Sequence, residues 1–175
     1  GFLRQTASCR ILYPRHHWCG SIACVEGERI IAGCIYDPVH DEIYLASNDR
    51  PSTRNGKPIR VTDVGEIDLA TVGIGLEPAM GANAGLAMLT PMVEAGTRLY
   101  RNSSGALSLA YVADGRLDAY VETHMHSWDF MAGALIVRQA GGVLRDFDVM
   151  AALTEGAPVI ASNGRLDLML PPEYA

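Results

Sequence analysis

One segment in the last third of the chain constrains the fold more than any other. The spacing predicts a helix over Trp128–Gln139, with Ser127 as its N-cap and Gly141 beyond its end. Its central run, FMAGALIV over Phe130–Val137, is apolar on every side. A helix without a polar face must be covered all round, so we expect it to lie between layers of secondary structure.

The first half of the chain is rich in strand signals. Two β-rich runs, Trp18–Val25 and Arg29–Tyr36, flank a short loop and predict a hairpin. Glu42–Ala46 predicts a third strand, and the turn Asn55-Gly56 precedes a further predicted strand at Ile59–Val61. This half therefore predicts an antiparallel meander.

From residue 69 onward, strands and helices alternate. Strands are predicted at Leu69–Gly75, Arg98–Tyr100 and Leu117–Glu122, and helices at Asn83–Glu94 and Ala106–Ala113. After the Trp128 helix, Val143–Phe147 and Val159–Ala161 predict two last strands, and Asn163 a final helical turn. We expect a layered α/β (α+β) sandwich in which an antiparallel meander sheet leads into an alternating βαβα half.

Composition excludes several classes of protein. With 49% apolar and 19% charged residues among 175, the chain is typical of a globular domain and not of a disordered one. The net charge of −6 argues against binding nucleic acid or anionic membranes, and the longest apolar run is too short to span a bilayer. We expect a cytoplasmic protein whose cysteines (Cys9, Cys19, Cys24 and Cys34) are free thiols.

Two carboxylates bracket the loop between the last alternating strand and the apolar helix. Glu122 ends the strand, on the face that also carries Asp118 and Tyr120, with Leu117 on the opposite face, and Asp129 lies in the first helical turn. Such a position at the carboxyl end of a strand is where active sites gather, and carboxylates are ligands for Mg²⁺. The alternative is structural: Asp129 complements the helix dipole and Glu122 is a solvated strand end.

The same loop contains two histidines. His124 and His126 are two residues apart, a spacing that can begin a Zn²⁺ site, but no third His or Cys lies nearby in sequence. We favour a histidine that packs on Trp128 or orients Asp129.

A turn of small residues precedes the Ala106 helix. Ser103, Ser104 and Gly105 would present free backbone N–H groups to an anion or a hydroxyl group. Simple N-capping by one of the serines explains the same residues equally well.

The stretch WDFMAGALIVRQAGG, over Trp128–Gly142, resembles the carboxyl-terminal signature of the inositol monophosphatase family of metal-dependent phosphomonoesterases. The similarity extends upstream through SSGALSLAYVADGRLDAYVE (Ser103–Glu122), YDPVHDEIYLA (Tyr36–Ala46), NGKPIRV (Asn55–Val61) and WCGSIACVEG (Trp18–Gly27). Essentially everything from Trp18 onward is covered.

The resemblance implies roles for individual residues. Asp129 would ligate Mg²⁺, Glu122 would contact the substrate's hydroxyl groups, and Ser103, Ser104 and Gly105 would line the alcohol-binding side of the pocket. The implied reaction is hydrolysis of a small phosphate monoester, such as an inositol or other polyol phosphate, by a metal-activated water. Histidinol phosphate, adenosine bisphosphate and fructose bisphosphate are alternative substrates, and family members commonly form homodimers.

The chain departs from the family at its beginning. The D-P-[IL]-D-G-T motif, which supplies two metal-binding aspartates and a threonine, is absent, and an ungapped alignment places Leu3–Ser8 there. The catalytic residues of that motif are therefore unknown in this chain. We expect one domain over residues 1–175 whose N-terminal metal-binding part is either missing from the protein or lies in a segment, absent from this sequence, before the strand that contains Cys19. Residues 1–17 are atypical, and Gly1–Ser8 is interpreted as part of an N-terminal helix. The alternative is a truncated or degenerate member that serves as a non-catalytic binding or assembly module.

Overall fold

The fold is built on two sheets, the first of which is an antiparallel meander. A computed structural model describes residues 2–8, 18–76, 81–172 and 174. The first sheet, sheet A, has the order β1-β2-β3-β4-β5-β6. Its strands are β1 (Phe2–Ser8), β2 (Trp18–Glu26), β3 (Arg29–Asp37), β4 (Glu42–Ser47), β5 (Arg50–Arg54) and β6 (Lys57–Pro58). Each strand is antiparallel to the next, so the predicted meander is confirmed.

The second sheet, sheet B, is mixed and has the order β10-β11-β9-β7-β8. Its strands are β7 (Thr71–Gly75), β8 (Arg98–Tyr100), β9 (Ala119–Met125), β10 (Val143–Leu144) and β11 (Ala157–Ser162). The helices are α1 (Ala82–Glu94), α2 (Gly105–Ala113), α3 (Ser127–Gln139) and α4 (Val149–Glu155). Strand β7 is parallel to both β8 and β9, which aligns the carboxyl ends of β7 and β9.

Helices α2 and α3 lie between the two sheets, and α1 covers the outer face of sheet B. One core joins the inner face of sheet A to α2, α3 and residues of sheet B such as Tyr120 and Val159. A second, smaller core joins Val72 and Val121 to Met88 of α1. The apolar run of α3 is buried throughout, as its sequence predicts, and the layered α/β fold is confirmed.

The close approach of α3 to sheet A depends on one glycine. A Cβ atom at Gly33 of β3 would lie 2.7 Å from the backbone oxygen of Ala132 in α3, which is too close for any side chain. Glycine at this position therefore lets the helix backbone pack directly on the strand.

Several local predictions are wrong. Phe2–Ser8 is a strand that pairs with β2 along its whole length, so the interpretation of this segment as part of a helix is incorrect. The strand predicted at Ile59–Val61 does not form. The structure has instead the short β6 just before it, where only Lys57 and Pro58 pair with β5. No helical turn follows Asn163, whose side-chain amide donates to the Val64 carbonyl oxygen.

Two predictions around the central helix also need correction. Leu117 precedes β9 and packs in the core between the sheets, whereas Ala119 and Val121 face α1. Ser127 does not cap α3, because its hydroxyl donates to the Leu153 carbonyl oxygen at 3.3 Å. The predicted strand Val143–Phe147 is the two-residue β10, and the segment after it forms the unpredicted α4.

A cluster of charged and tyrosine side chains, the ion-pair cluster, ties sheet A to the end of α2. Asp114 Oδ2 accepts from Arg54 Nη1 at 2.7 Å and from Arg116 Nη2 at 2.6 Å. Arg116 also donates to Glu42 at 2.5 Å, and the buried Tyr44 hydroxyl lies within hydrogen-bond distance of both Glu42 and Asp114, which share its one proton. Because the Asp114 side chain is 1% exposed, both arginines compensate a carboxylate that has lost its water.

None of the helices in the described part of the chain combines the length and the apolar character needed to cross a lipid bilayer. Within the described part of the chain, Cys19, Cys24 and Cys34 are not joined by disulfide bonds, in agreement with the prediction of reduced thiols, and Cys9 lies outside the described residues.

Candidate functional site

Asp129 lies where β9 leads into α3, whereas Glu122 lies within β9, which continues to Met125, so the prediction that Glu122 ends the strand is wrong. Glu122 is paired with Gly75, the last residue of the parallel neighbour β7. Asp129 lies in the first turn of α3, and its backbone N–H donates to the His126 carbonyl oxygen at 2.9 Å. In mixed and parallel sheets this edge, beyond the carboxyl ends of the strands, is the usual place for a ligand.

The Glu122 side chain lies in a cradle formed by two glycines and a tyrosine. Tyr120, two residues earlier on the same face of β9, donates to Glu122 Oε2 at 2.5 Å. A Cβ atom at Gly75 would lie 2.3 Å from Glu122 Cδ, and one at Gly105 would lie 3.3 Å from Oε2. The carboxylate is therefore positioned by close packing as well as by hydrogen bonding.

Replacing Gly75 with alanine is expected to displace the Glu122 carboxylate. The added methyl group would overlap the carboxyl carbon, and the side chain must rotate out of its cradle to make room. Gly20→Ala is the matched control, because a Cβ atom at Gly20 of β2 meets nothing within 4 Å. Backbone and side-chain chemical shifts of Glu122 report the displacement, and unchanged shifts in Gly75→Ala would contradict the cradle.

The Tyr120 hydroxyl is a donor held in its neutral form. Tyr120 is 2% exposed, and burial together with the charge of Glu122 raises its pKa well above the usual value. The hydroxyl therefore stays protonated and donates a hydrogen bond to Glu122 throughout the physiological pH range.

Loss of this donor is expected to destabilise the protein. Tyr120→Phe removes a hydrogen bond to a charged group, for which about 1.5–3 kcal/mol of unfolding free energy is typical. Tyr36→Phe is the control, since the Tyr36 hydroxyl donates to Asp41 at the exposed surface. Urea unfolding of both variants measures the difference, and equal stabilities would show that the Tyr120 hydrogen bond contributes nothing.

Asp129 is a half-buried carboxylate with little compensation. Burial raises its pKa, and the charge of His126 and a hydrogen bond from Trp128 offset only part of the increase. Within the described part of the chain, no Lys or Arg forms an ion pair with it. A carboxylate partly removed from water and left without a cation is suited to bind one.

The turn before α2 combines capping with an unusual backbone. Ser104 is the N-cap, and its hydroxyl accepts from Leu107 N–H at 3.4 Å and lies 3.7 Å from Cys19 Sγ. Ser103 is exposed and has φ of 65°, a conformation that is uncommon for residues other than glycine. Ser104 therefore serves as the N-cap of α2, which is the second of the two roles considered for this turn. The Ser103 side chain faces solvent.

Electrostatic couplings indicate that these parts converge. Burial is the main cause of the raised pKa of both Tyr120 and Cys19, and the charge of Asp129 adds to the increase in each. Tyr120 contacts Glu122, and Cys19 contacts Ser104, so the β9 end, the α3 start and the α2 turn lie around one location. Burial raises the pKa of Cys19 to about 11, so this thiol is neutral and unsuited to act as a nucleophile.

The two histidines pack against aromatic rings and a backbone carbonyl oxygen. His126 stacks on Trp128 with ring centroids 4.6 Å apart, as the sequence favours, and His124 meets the His126 ring edge-on. His124 Nε2 lies 2.7 Å from the Glu155 carbonyl oxygen. The described residues contain no group of three His, Cys, Asp or Glu side chains placed to hold a metal ion.

A Mg²⁺ ion fits this arrangement only in part. Asp129 suits one ligand position, since a hard cation would compensate its carboxylate. Glu122 is already engaged by Tyr120, and the residues described do not complete a ligand set.

Sequence reasoning missed two parts of the site. Tyr120 shares a strand face with Glu122, and that spacing could have indicated the hydrogen bond. Gly75 could not be recognised in the same way, because only the parallel pairing of β7 with β9 brings it beside Glu122.

Comparisons with known proteins agree on one family. A family model described as "Inositol monophosphatase family" matches residues 1–171. The chain is 37% identical over 133 residues to Nus factor SuhB of Xylella fastidiosa, which covers 75% of this chain and 48% of that protein. It is 35% identical over 148 residues to inositol-1-monophosphatase of Mesorhizobium japonicum. This match covers 82% of this chain and 54% of that protein.

A solved structure supports the same conclusion. Inositol monophosphatase from Anabaena superposes with a TM-score of 0.77 at 29% identity, over 86% of this chain and 60% of that one. The chain spans about half the length of the curated relatives it matches. Fold, signature and family match coincide over nearly the whole sequence, and the chain belongs to the inositol monophosphatase family.

Proposed function

We propose that this protein hydrolyses a small phosphate monoester of a polyol, such as an inositol or sugar phosphate, in a Mg²⁺-dependent reaction. The observation that carries the proposal is the cradled Glu122 carboxylate together with the only partly compensated Asp129, whose charges both act on Tyr120. A carboxylate fixed in this way can accept hydrogen bonds from substrate hydroxyl groups, and a second one can hold a cation near the phosphate.

Each residue has a separate task in this proposal. Glu122 accepts from the hydroxyl groups of the polyol while Tyr120 holds its carboxylate in place. Asp129 provides one ligand for Mg²⁺, and Ser103 and Gly105 line the alcohol side of the pocket. Further metal ligands, which the described residues do not supply, are needed to complete the site.

The charge of the protein explains why a cation is needed. With a net charge of −6, the chain repels a phosphate dianion in the absence of a compensating ion. When bound, Mg²⁺ neutralises phosphate charge and lowers the pKa of the water that attacks phosphorus.

Release of inorganic phosphate from a panel of substrates tests the proposal. Inositol 1-phosphate, fructose 1,6-bisphosphate, histidinol phosphate and adenosine 3′,5′-bisphosphate are incubated with the protein, with Mg²⁺ or with EDTA. We expect release only with Mg²⁺, fastest for inositol 1-phosphate. Release that is unaffected by EDTA would contradict a metal-dependent reaction, and a faster rate for another substrate would replace the proposed substrate class.

A second candidate function is a non-catalytic binding or assembly module. Relatives from Xylella fastidiosa and Haemophilus influenzae carry the name Nus factor SuhB, and the described residues lack a complete metal-ligand set. For this reason the expectation of no nucleic-acid partner is not part of the proposal. Absence of phosphate release from every substrate with Mg²⁺ would favour this second function.

We also propose that the protein forms a homodimer, as the family resemblance implies. Sedimentation velocity at several protein concentrations tests this, and a purely monomeric species at every concentration would contradict it.

A further inference from the structure

A cavity lies beneath α1, on the face of sheet B opposite to Glu122. Its volume is about 560 Å³, within the range of small-molecule sites. Leu76, Leu89 and Gly85 line it, and Leu86, which is 59% exposed, also contributes to its wall, so the cavity opens to solvent. These residues give it a mainly apolar wall.

One buried polar group in this wall has no hydrogen-bond partner. Successive residues of a strand point to opposite faces, so Thr123 lies on the face of β9 away from Glu122. Thr123 is 3% exposed, lines the cavity, and its Oγ1 has no hydrogen-bond partner among the described residues. Since a buried hydroxyl is nearly always hydrogen-bonded, Thr123 indicates a hydrogen-bonding group that the described residues do not supply.

Two further features of the wall favour an anion. Gly81 precedes α1, and no side chain caps the helix or places an acidic group in its first turn. Among the described residues, no side chain occupies the N–H groups of that turn, and these groups favour an acceptor at the positive end of the helix. Arg101 also lines the cavity, and it forms no ion pair with any other residue in the described ranges.

We propose that this cavity binds a small organic carboxylate with an apolar body. The body would contact Leu76, Leu86 and Leu89, while the carboxylate would accept from Thr123 Oγ1 and pair with Arg101. The described residues of the wall supply donors and a cation but no carboxylate, which favours a negatively charged head group. Because β9 separates this cavity from Glu122, the inference does not depend on the proposed function.

Titration with 4-phenylbutanoate, followed by backbone amide chemical shifts, tests the proposal. We expect saturable shifts confined to α1, Arg101 and Thr123. Thr123→Val, which removes the hydroxyl at nearly constant shape, and Arg101→Gln, which removes an exposed charge, should each weaken binding at least fivefold. The uncharged analogue 4-phenylbutan-1-ol should bind the parent protein at least fivefold more weakly than the carboxylate.

Other outcomes would overturn the proposal. These are an affinity that is unchanged in either variant, equal binding of the alcohol, shifts centred away from α1, or no saturable binding at millimolar concentration. Arg101→Gln alters an exposed side chain and is expected to fold. Its binding affinity therefore tests the proposal even if Thr123→Val fails to fold. None of these measurements uses phosphate release, and failure here is therefore separate from failure of the phosphatase proposal.

Discussion

Asp129→Asn is expected to abolish Mg²⁺-dependent phosphate release and, at the same time, to raise the melting temperature of the metal-free protein. The neutral amide is a far weaker ligand for a hard cation than a carboxylate, so we expect a rate reduction of at least about 100-fold, or about 2.7 kcal/mol in the barrier. The same change removes a charge that burial disfavours, which stabilises the metal-free fold.

The pH dependence of this stabilisation has a definite sign. Because burial raises the pKa of Asp129 in the folded state, its protonated form favours folding, and that contribution is lost as pH rises through the folded pKa. The stability advantage of Asp129→Asn should therefore be present at neutral pH. It should disappear below the unfolded pKa of about 3.9, where the parent residue is neutral too.

Thermal unfolding in EDTA and in Mg²⁺ measures both effects. Mg²⁺ at ten times its dissociation constant should stabilise the parent by about 1.4 kcal/mol and leave Asp129→Asn unchanged. Asp63→Asn is the control, because Asp63 is an exposed aspartate outside the site. Equal Mg²⁺ stabilisation of the parent and Asp129→Asn would show that Asp129 is not a metal ligand.

Asp114→Ala is expected to lower the free energy of unfolding by about 3 kcal/mol. The substitution leaves Arg54, Arg116 and the buried Tyr44 hydroxyl without the carboxylate that they share. Asp63→Ala, at the surface, should change stability by less than about 0.5 kcal/mol. Urea unfolding of the two variants provides the measurement, and a loss for Asp114→Ala no larger than the control would contradict a structural role for the ion-pair cluster.

Acid should weaken the same cluster through Glu42. Burial tends to raise the Glu42 pKa, but hydrogen bonds from Arg116 and Tyr44 outweigh it and hold the pKa below its usual value. The stabilisation from Glu42 is therefore present above the unfolded pKa of about 4.3 and is lost as pH falls through the folded pKa. Glu42→Gln should reduce this loss of stability in acid. The pH dependence that Glu42 contributes has the opposite sign to that of Asp129, whose protonated form favours folding.

The order of secondary structure follows from sequence where periodicity is strong. The apolar run of α3 predicts its burial because no other environment covers a helix on every side. Strand β5 escapes prediction, since Arg50–Arg54 is polar, contains Pro51 and lacks alternation. Helix α4 has only seven residues, too few to establish a helical period.

The candidate site shows the same division between local and non-local information. The spacing of Glu122 and Asp129 is local, but β9 continues to Met125, so most of the loop expected between the two carboxylates is strand. The contact of Gly75 with Glu122 depends on strand pairing across the sheet, and the contact of Cys19 with Ser104 joins sheet A to α2. Sequence patterns do not specify such pairings without the topology.

Paramagnetic broadening by Mn²⁺ tests most directly whether the β9–α3 edge is a metal-dependent phosphate site. Mn²⁺ prefers the same oxygen ligands as Mg²⁺ and broadens the NMR signals of nearby nuclei. With inositol 1-phosphate present, Mn²⁺ is predicted to broaden the amide signals of Ser103–Gly105 and Glu122–Asp129, and Asp129→Asn should eliminate this broadening. Broadening centred elsewhere, or retained in Asp129→Asn, would contradict the assignment of this site.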